Sequence, residues 1–287
     1  MTAVVTDKLP LVSGAPNGIA KLRELILDLA IRGKLVEHEA ADAPVRQLLA
    51  EIELARSSSE RPKKASIVSA TTSPPFKIPH GWAWVRLGEL LSKIGAGSTP
   101  LGGKQAYVNL GIKFLRSQNV WNDGLRLDDV ALISAATHAR MSGTHVQPGD
   151  ILFNITGASI GRCALVPDDF DTGNVSQHVT IIRPAMDPTR HYLHTALRSK
   201  LVQDTVMSVQ VGVSREGLSI GKLAQFFLPL PPLAEQHRIV AKVDELMALC
   251  DRLAAQQTDA EAAHAQLVEA LLASLTQARD AADFCAS

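Results

Sequence analysis

The spacing of apolar residues near the start of the chain predicts an amphipathic helix. Leu22, Ile26 and Leu29 follow one another at steps of four and three residues, which places them on one face of a helix. Asn17 is a suitable N-cap, and Gly33 marks the end of the pattern. An apolar face of this kind needs a partner element to cover it.

A second helix and a linker follow. The helix is short and is predicted after Asp42, because apolar residues again recur on one face. Residues 56–75 are polar and end in Pro-Pro, which is typical of a flexible linker. Arg61, Lys63 and Lys64 form a small basic cluster there, which is explained either as part of a solvated tether or by non-specific contact with phosphate.

From Trp82 the pattern changes to short β-like runs, each bounded by Gly, Pro, Asp or Asn. The runs are WAWVRLGEL, IKFLRSQNV, DVALIS, DILFNIT, RCALVP and HVTIIRP. Their spacing predicts a compact, mostly antiparallel sheet or barrel-like domain. A helix is predicted from Pro188 to about Ser208, and the run AQFFLPLPP predicts a last strand.

The C-terminal part has the longest periodic pattern in the chain. Mostly apolar residues recur there at alternating steps of four and three over more than four heptads. This spacing lets one helix pack lengthwise on another. These positions are Ile239, Val243, Leu246, Cys250, Leu253, Gln257, Ala260, His264, Leu267 and Leu271. The partner is either the N-terminal helix or the same segment of a second copy. Gln257 and His264 are polar, and they either set the register or mark a thinner, wetter end of the coil.

The neutral net charge conceals three segments of different character. The chain has 287 residues, with 29 basic and 29 acidic side chains. Residues 1–75 carry 10 basic and 9 acidic side chains, residues 76–229 carry 15 and 11, and residues 230–287 carry 4 and 9. Sixteen of the 19 glycines also lie in residues 76–229. A mildly basic, glycine-rich domain is therefore expected between two helical segments, and neutrality does not exclude DNA as a ligand.

The composition favours a globular, cytoplasmic protein. Apolar residues make up 46% and charged residues 20% of the chain, unlike disordered or fibrous proteins. The sequence has no run of 18 apolar residues and no basic-then-apolar segment at its start, so neither a membrane span nor a secretion signal is expected. Cys163, Cys250 and Cys285 lack CxxC spacing, which argues against a disulfide framework and a zinc site.

The sequence predicts no active site. It contains no GxGxxG after a strand, no phosphate-binding GxxxxGKS/T loop, no GxSxG and no HExxH. The pairs Asp128/Asp129 and Asp168/Asp169 lie in turn-like segments, where carboxylates commonly serve solubility. No catalytic residue and no bound metal are expected.

The polar turns of residues 76–229 carry the residue types that read DNA. Arg and Lys bind guanine, Asn and Gln bind adenine, and Ser, Thr and backbone groups bind phosphate. The candidate DNA-binding residues are Lys104, Gln105, Arg116, Ser117, Gln118, Asn119, Asn154, Thr156, Ser159, Arg162, Asn174, Gln177, His178, Ser214 and Arg215. Taken singly, each is also explained by ordinary turn chemistry, because Asn and Ser hydrogen-bond to nearby backbone groups.

Several segments resemble a known family. In LPLPPLAEQHRIVAKVDELMALCDRL (residues 228–253) a strand end runs into Pro-Pro-Leu, then Glu-Gln, then a helix. This closely resembles the conserved region of Type I restriction-modification specificity subunits. KLRELILDLAIRGKLV (residues 21–36) resembles the other half of that region. Between them, GWAWVRLGEL, HVQPGDILFNITGASIGRCALV and NVSQHVTIIRP resemble the framework of a target recognition domain.

The resemblance implies an α+β fold, in which one mostly β target recognition domain is flanked by long conserved α-helices that form coiled-coil-like spacers. It divides the chain into an N-terminal helical region (1–55), the linker (56–75), the recognition domain (76–229) and the C-terminal coiled-coil helix (230–287). Family members are non-catalytic. They bind double-stranded DNA and direct the methyltransferase (modification) and restriction subunits to a bipartite site. S-adenosylmethionine is bound by the methyltransferase subunit, so no cofactor is expected on this chain.

The sequence differs from the family pattern in one respect, since full specificity subunits carry two recognition domains and this chain resembles a half-length form with one. We expect two copies to associate through their helices and to read an interrupted palindrome. The expected interface residues are Leu22, Ile26, Leu29, Ile239, Val243, Leu246, Cys250, Leu253, Leu267 and Leu271. Two other functions stay open: a stand-alone DNA-binding or anti-restriction module without a methyltransferase, and a coiled-coil adaptor that binds protein.

Overall fold

The computed structural model describes residues 17–57, 74–211 and 217–277. Its helices are α1 (Gly18–Ile31), α2 (Val45–Ser57), α3 (Ala135–Arg140), α4 (Arg190–Arg198), α5 (Lys200–Val211), α6 (Ile220–Ala224) and α7 (Leu233–Gln277). Its strands are β1 (Ala83–Arg86), β2 (Leu91–Ala96), β3 (Tyr107–Val108), β4 (Ile112–Leu115), β5 (Val120–Trp121), β6 (Gly124–Leu125), β7 (Ala131–Ile133), β8 (His145–Val146), β9 (Ile151–Asn154), β10 (Cys163–Leu165), β11 (Gly173–Val175), β12 (Val179–Pro184) and β13 (Phe227–Leu230). The predicted α+β class is confirmed.

The contacts within the chain divide it into two compact units. The first contains the described residues up to Ile26 together with those from Val243 onward, and the second runs from Leu27 to Lys242. Most of the expected linker, including Arg61, Lys63 and Lys64, lies outside the described residues. The domain boundaries derived from the sequence therefore stay a prediction.

The described strands of the second unit form two larger sheets and two strand pairs. One sheet is antiparallel with the order β10-β9-β12-β2, and the other has the order β3-β7-β4-β11-β8. The pairs are β1-β13 and β5-β6. Among the described strand pairs only β11 and β4 run parallel, with Asn174 opposite Phe114. The short runs of the sequence predict the mostly antiparallel arrangement but not this parallel pair.

The core of the second unit is formed by strands of both larger sheets. β9 is the clearest case, because all four of its residues are buried and the run Ile-Leu-Phe is therefore continuous rather than alternating. The main cluster contains Leu115, Val120, Val146, Leu152, Ala164, Val166, Phe170, Val175, Val179 and Ile181. A rigid core at this position supports the turns that connect its strands.

Two helical features differ from the expectation. The helix expected over 188–208 is interrupted at Ser199, whose backbone is extended and whose Oγ donates to the carbonyl of Ala196 across 2.6 Å. Helix α3 lacks a periodic apolar pattern and begins because the side chain of Ser134 accepts a hydrogen bond from the N–H of Thr137. Local side-chain hydrogen bonds thus set the break at Ser199 and the start of α3, and the spacing of apolar residues predicts neither boundary.

Helix α7 begins directly after Pro231 and Pro232, and its first turns are held by polar contacts. Nε2 of the fully buried Gln236 donates to the carbonyl of Pro231 across 2.9 Å. Arg238 pairs with Asp42 at 2.6 Å, and this guanidinium lowers the pKa of the Asp42 carboxyl. The Pro-Pro and Glu-Gln residues of the sequence therefore fix the start of this helix. None of the helices in the described ranges combines the length and the apolar composition that a membrane span requires.

Candidate nucleic-acid interface

Three of the polar turns meet at the end of β9. Nδ2 of Asn154 donates to the carbonyl of Ser117 at 2.9 Å and to Oγ of Ser159 at 3.1 Å. These bonds join the turn after β4 to the loop between β9 and β10. Two residues on, Oγ1 of Thr156 lies 2.7 Å from Nδ1 of His178, which adds the turn between β11 and β12. The folded chain thus brings together turns that are far apart in sequence.

The glycine-rich loop after β2 reaches the same place. Oγ1 of Thr99 donates to Oε1 of Gln177 across 2.8 Å. The loop can approach because Gly97 has no side chain, since a Cβ there would overlap the carbonyl oxygen of Val175. At the end of this loop, the ring centroid of Tyr107 in β3 lies 5.8 Å from the guanidinium carbon of Arg116, in the turn after β4. Four parts of the sequence therefore contribute to one polar region.

The predicted DNA-binding residues differ in their exposure. Lys104, Gln105, Gln118, Gln177 and His178 are exposed, and Arg116, Ser117, Thr156, Ser159 and Arg162 are half-buried. We call these ten residues the polar face. Ser214 and Arg215 lie outside the described residues. The segment that follows them is close to the polar face, because the N–H of Leu218 donates to the carbonyl of Ile155 at 2.8 Å.

Asn119 and Asn154, which the sequence placed among the base-reading residues, are buried. Oδ1 of Asn119 accepts from the N–H of Arg116 at 2.9 Å, and its Nδ2 donates to the carbonyl of Arg126 at 2.9 Å. Asn154 binds the two turns described above. Their amides face inward because the turns leave backbone groups that need partners, and asparagine supplies them. They position the polar face and are not part of it.

Asn174 is a second correction to the expected set. It is fully buried in β11, where its Nδ2 donates to Oγ1 of Thr144 at 2.7 Å and its Oδ1 lies 2.5 Å from Nδ1 of His138. The His138 ring stacks on that of His145 with 3.8 Å between centroids. Asn174 therefore holds the segment after α3 in place, and within the described residues its side chain makes no hydrogen bond to the polar face.

Sequence reasoning missed Trp121 and Arg126, which lie beside the polar face. The indole Nε1 of Trp121 donates to the carbonyl of Gln118 at 2.8 Å, and the guanidinium of Arg126 lies over the Trp121 ring. The available signal was a tryptophan two residues after the polar turn Arg116–Asn119, followed by a tight turn and an arginine. Composition alone does not separate such a tryptophan from a core residue.

The arginines around the polar face differ in their partners. Arg116 donates to the carbonyl of Asp129 at 3.1 Å and lies 3.9 Å from its carboxylate. Arg126 pairs with Asp123 at 3.2 Å. Arg162 has no carboxylate partner within the described ranges. Cationic groups in this arrangement can bind phosphate oxygens or the acceptor atoms of guanine.

The structure gives no support for metal or thiol chemistry in the part that it describes. No group of three or more His, Cys, Asp or Glu residues there could hold a metal ion. Cys163 is fully buried, and burial raises the pKa of its thiol to about 12. A thiol of this kind stays protonated at neutral pH and is a poor nucleophile.

The expected interface residues of the helices fall into two groups. In the first unit Leu22, Ile26, Val243, Leu246 and Cys250 are buried within this chain. Arg23 on α1 pairs there with Asp251 on α7 at 2.6 Å, which places the first part of α1 beside α7. The N-terminal helix is therefore the partner of this stretch of the heptad pattern, and these residues are not free for a second copy.

The distal part of α7 is different. Leu253 is half-buried, and the side chains from Ala255 to Leu275 are exposed. The exposed large apolar residues are Leu267, Val268, Leu271, Leu272 and Leu275, at 41–58% relative exposure, and we call them the distal stripe. Leu29 and Ile239 belong to the second unit, where Leu29 is half-buried and Ile239 is fully buried. Of the expected interface residues, Leu267 and Leu271 alone are exposed in the described structure.

A family model for the Type I restriction modification DNA specificity domain matches residues 79–262, more than half of the chain. The chain belongs to this family. The resemblance found in the sequence is thereby confirmed. In this member of the specificity family, the matched residues include the whole polar face, with Trp121 and Arg126 beside it, and the first two thirds of α7.

Two curated relatives extend the match beyond the family model. The chain is 30% identical over 278 residues to the specificity subunit of the Type I restriction enzyme EcoEI of Escherichia coli. It is 30% identical over 282 residues to that of EcoAI from the same organism. Each alignment covers 92% of this chain and 45% of the relative. The specificity-family chain thus spans less than half the length of these two proteins.

Two solved structures share the fold. The HsdS subunit from Thermoanaerobacter tengcongensis aligns with a TM-score of 0.51 and 23% identity, over 89% of this chain and 56% of that one. A chain from a study of complex assembly and conformational transition in the type I R-M system aligns with a TM-score of 0.57 and 24% identity. The alignment covers 89% of this chain and 57% of that one. At this level of identity the likeness shows the fold alone.

Proposed function

We propose that this chain is a non-catalytic, sequence-specific DNA recognition subunit of a Type I restriction-modification complex. The observation that carries the proposal is the convergence of four polar segments on one surface, whose turns are held by the buried amides of Asn119 and Asn154. Such a surface presents Arg, Lys, Gln, Ser and Thr side chains on a fixed scaffold. These are the groups that bind base edges and phosphates.

The charge of the recognition region sets the expected strength of binding. Residues 76–229 carry 15 basic and 11 acidic side chains, so their positive excess is small. Since neutralised phosphates supply most of non-specific affinity, this chain alone binds DNA weakly. A partner that adds phosphate contacts would raise the affinity, which fits a subunit that works inside a complex.

The partners we propose follow from the family. The relatives are named specificity subunits of Type I restriction enzymes. For this chain we propose a methyltransferase subunit, which binds S-adenosylmethionine and methylates adenine, and a restriction subunit. The complex reads one half of a bipartite DNA site with each recognition domain and works in the cytoplasm.

We also propose that a second copy of this chain covers the distal stripe. The stripe spans about 140° of the α7 surface at the usual 100° per residue, which is the width of a core-facing helix face. It continues the heptad pattern whose earlier positions are already covered by α1. Two recognition domains would then stand in one complex, one for each half-site.

The test of the proposed function is the methylation pattern of the host. Adenine methylation is mapped genome-wide with and without the gene, and the expected result is the loss of one bipartite motif. The purified complex with the methyltransferase subunit is then titrated with a duplex that carries this motif and with a scrambled duplex. Tighter binding to the motif is expected, and equal binding to both duplexes would contradict the proposal.

Arg116→Ala tests the polar face directly. Binding of the complex to its motif should weaken about 10-fold, in line with the loss of one good DNA contact. The matched control is Arg46→Ala, which removes the same charge from an exposed position on α2.

Failure of the chain to co-purify with a methyltransferase, with DNA binding kept, would favour a stand-alone module. Absence of DNA binding at any salt concentration would favour a protein-binding adaptor.

A further inference from the structure

Two guanidinium groups lie over one tryptophan beside the polar face. The Cζ atoms of Arg126 and Arg162 are 4.1 and 3.9 Å from the ring centroid of Trp121. The ring itself cannot rotate freely, because its Nε1 donates to the carbonyl of Gln118 across 2.8 Å. Trp121 is half-buried, so one part of the indole is packed while the arginines reach solvent.

The backbone around Arg162 is fixed on both sides. Its N–H donates to the carbonyl of Ser159 at 3.1 Å, and its carbonyl accepts from the N–H of Asn154 at 2.9 Å. In addition, Oδ1 of Asn122 accepts from the N–H of Cys163 at 3.0 Å. That bond ties the turn between β5 and β6 to the residue after Arg162. The close approach of Arg162 and Trp121 is therefore built into the fold.

Arg126 and Arg162 differ in charge compensation. Arg126 is paired with Asp123, whereas the guanidinium of Arg162 makes no side-chain hydrogen bond or ion pair to the residues that the structure describes. The two Cζ atoms are at most about 8 Å apart, since both lie near one ring centroid, and this is within the screening length at physiological salt. An acceptor on a ligand would relieve the repulsion.

A position over an aromatic ring leaves N–H groups of an arginine free. A guanidinium held over such a ring keeps its planar fork available for two parallel hydrogen bonds, and its place is set before a ligand arrives. The O6 and N7 atoms of guanine in the major groove match this fork. Lysine cannot reproduce the fork, because its ammonium group is a point charge.

We propose that Arg162 determines specificity by binding the O6 and N7 atoms of a guanine in the recognised half-site, and that Trp121 is the positioning residue that orients it. Arg126 shares the ring and, already paired with Asp123, flanks the contact. The proposal rests on the proposed DNA-recognition function. It assigns one base of the motif to one side chain.

The experiment uses the complex with the methyltransferase subunit and duplexes that carry the motif found by methylation mapping. Each guanine in turn is replaced by 7-deazaguanine, which lacks N7. For the native complex one replacement should weaken binding by about 10-fold or more. Arg162→Ala should weaken binding to the unmodified duplex by a similar factor and should remove the effect of that replacement. Arg162→Lys should not restore discrimination.

Trp121 is tested in the same assay. Trp121→Ala should lose discrimination at the same guanine although Arg162 is present, whereas Trp121→Phe should keep part of it. Thermal unfolding of each variant identifies any that fail to fold. If a Trp121 variant does not fold, the 7-deazaguanine series on the Arg162 variants alone tests the proposal. A general loss of stability would not change the affinity difference between guanine and 7-deazaguanine at one position only, so this difference reports the specific contact.

Two results would overturn the proposal while leaving the proposed function intact. The first is an even loss of affinity for all sequences in Arg162→Ala, with a shallower salt dependence, which indicates a phosphate contact. The second is a 7-deazaguanine effect that persists in Arg162→Ala. If the native complex shows no preference for any motif, the proposed function itself fails.

Discussion

The carboxylate of Glu235 accepts a hydrogen bond from the indole nitrogen of Trp82, with 2.9 Å between Oε2 and Nε1. Both residues are buried, and they are 153 positions apart in sequence. The other carboxylate oxygen lies 2.6 Å from Nδ1 of His38. Glu235 belongs to the Pro-Pro and Glu-Gln segment that indicated the family, so within the second unit this signature is a structural anchor.

We expect Glu235→Ala to lower the free energy of unfolding by about 1–3 kcal/mol, because the buried indole N–H of Trp82 loses its acceptor. Glu235→Gln keeps an oxygen acceptor and should cost less. Urea titration measures both. Glu269→Ala, on an exposed position of α7, is the control and should stay within about 0.5 kcal/mol of the native protein. Equal effects at the two glutamates would contradict the anchoring role.

Asn154→Asp should destabilise the protein and weaken DNA binding together. A carboxylate at this buried position would face the carbonyl of Ser117, to which the amide now donates, and the expected loss is about 1–3 kcal/mol. Gln177→Ala, at the exposed polar face, should weaken DNA binding without a comparable change in the unfolding temperature. The pair of variants separates a positioning residue from a contacting one.

The matched control for Asn154→Asp is Asn109→Asp, which makes the same chemical change at an exposed position. Calorimetry and DNA titration are carried out on all variants. If Asn154→Asp unfolds at the native temperature, the inward placement of its amide does not hold the turns. If it binds DNA normally in spite of a lower unfolding temperature, the turns are not coupled to recognition.

The sequence predicts α1, α2, α7 and strands such as β9 because their signals are local. The periodic spacing at Leu22 and Ile26 and the buried run of β9 are examples. It does not predict which side of a turn an amide faces. Asn119, Asn154 and Asn174 have the residue type that reads adenine, yet their surroundings need hydrogen-bond partners for the backbone. For Asn154 and Asn174, whose partners include residues 30 or more positions away, that need arises only when distant turns meet.

The same limit applies to Trp121 and to α7. The indole becomes part of the candidate site because Asn122 ties its hairpin to Cys163, a contact across 41 positions that spacing does not encode. For α7, the heptad pattern gives the apolar face but not its partner. The structure divides that face between an intrachain stretch around Cys250 and the exposed distal stripe.

His194 should make the stability of the protein depend on pH. Burial, aided by the positive charge of Arg198, lowers the pKa of His194 from 6.5 to about 4, and its Nε2 lies 3.2 Å from the carbonyl of Cys163. Between these two values the unfolded chain binds a proton that the folded chain does not. The contribution of His194 to the free energy of unfolding is therefore fully present above pH 6.5 and is lost as the pH falls towards 4.

Between pH 7.5 and pH 5 this residue should account for about 2 kcal/mol of the loss in unfolding free energy. His194→Gln, which keeps an N–H donor but does not titrate in this range, should show a correspondingly flatter dependence in urea titrations. His264→Gln, at an exposed position on α7, should follow the native protein. Identical pH profiles for His194→Gln and the native chain would refute the assignment.

The distal stripe should join two copies of the chain, and the joining should strengthen with salt. Leu267→Glu with Leu271→Glu puts charges into the apolar stripe and should give monomers in light scattering, while the recognition domain stays folded. Gln266→Glu adds the same charge on the other side of α7 and should leave the dimer intact.

The salt dependence follows from the charges beside the stripe. From Leu253 to Gln277 the chain has three carboxylates, Asp259, Glu261 and Glu269, and no Lys or Arg. Two identical acidic helices repel each other, and salt screens this repulsion, whereas salt weakens DNA binding at the polar face. Dimerisation and DNA affinity should therefore change in opposite directions as salt is raised. A dimer that dissociates with added salt would point to an oppositely charged partner on the stripe in place of a second copy.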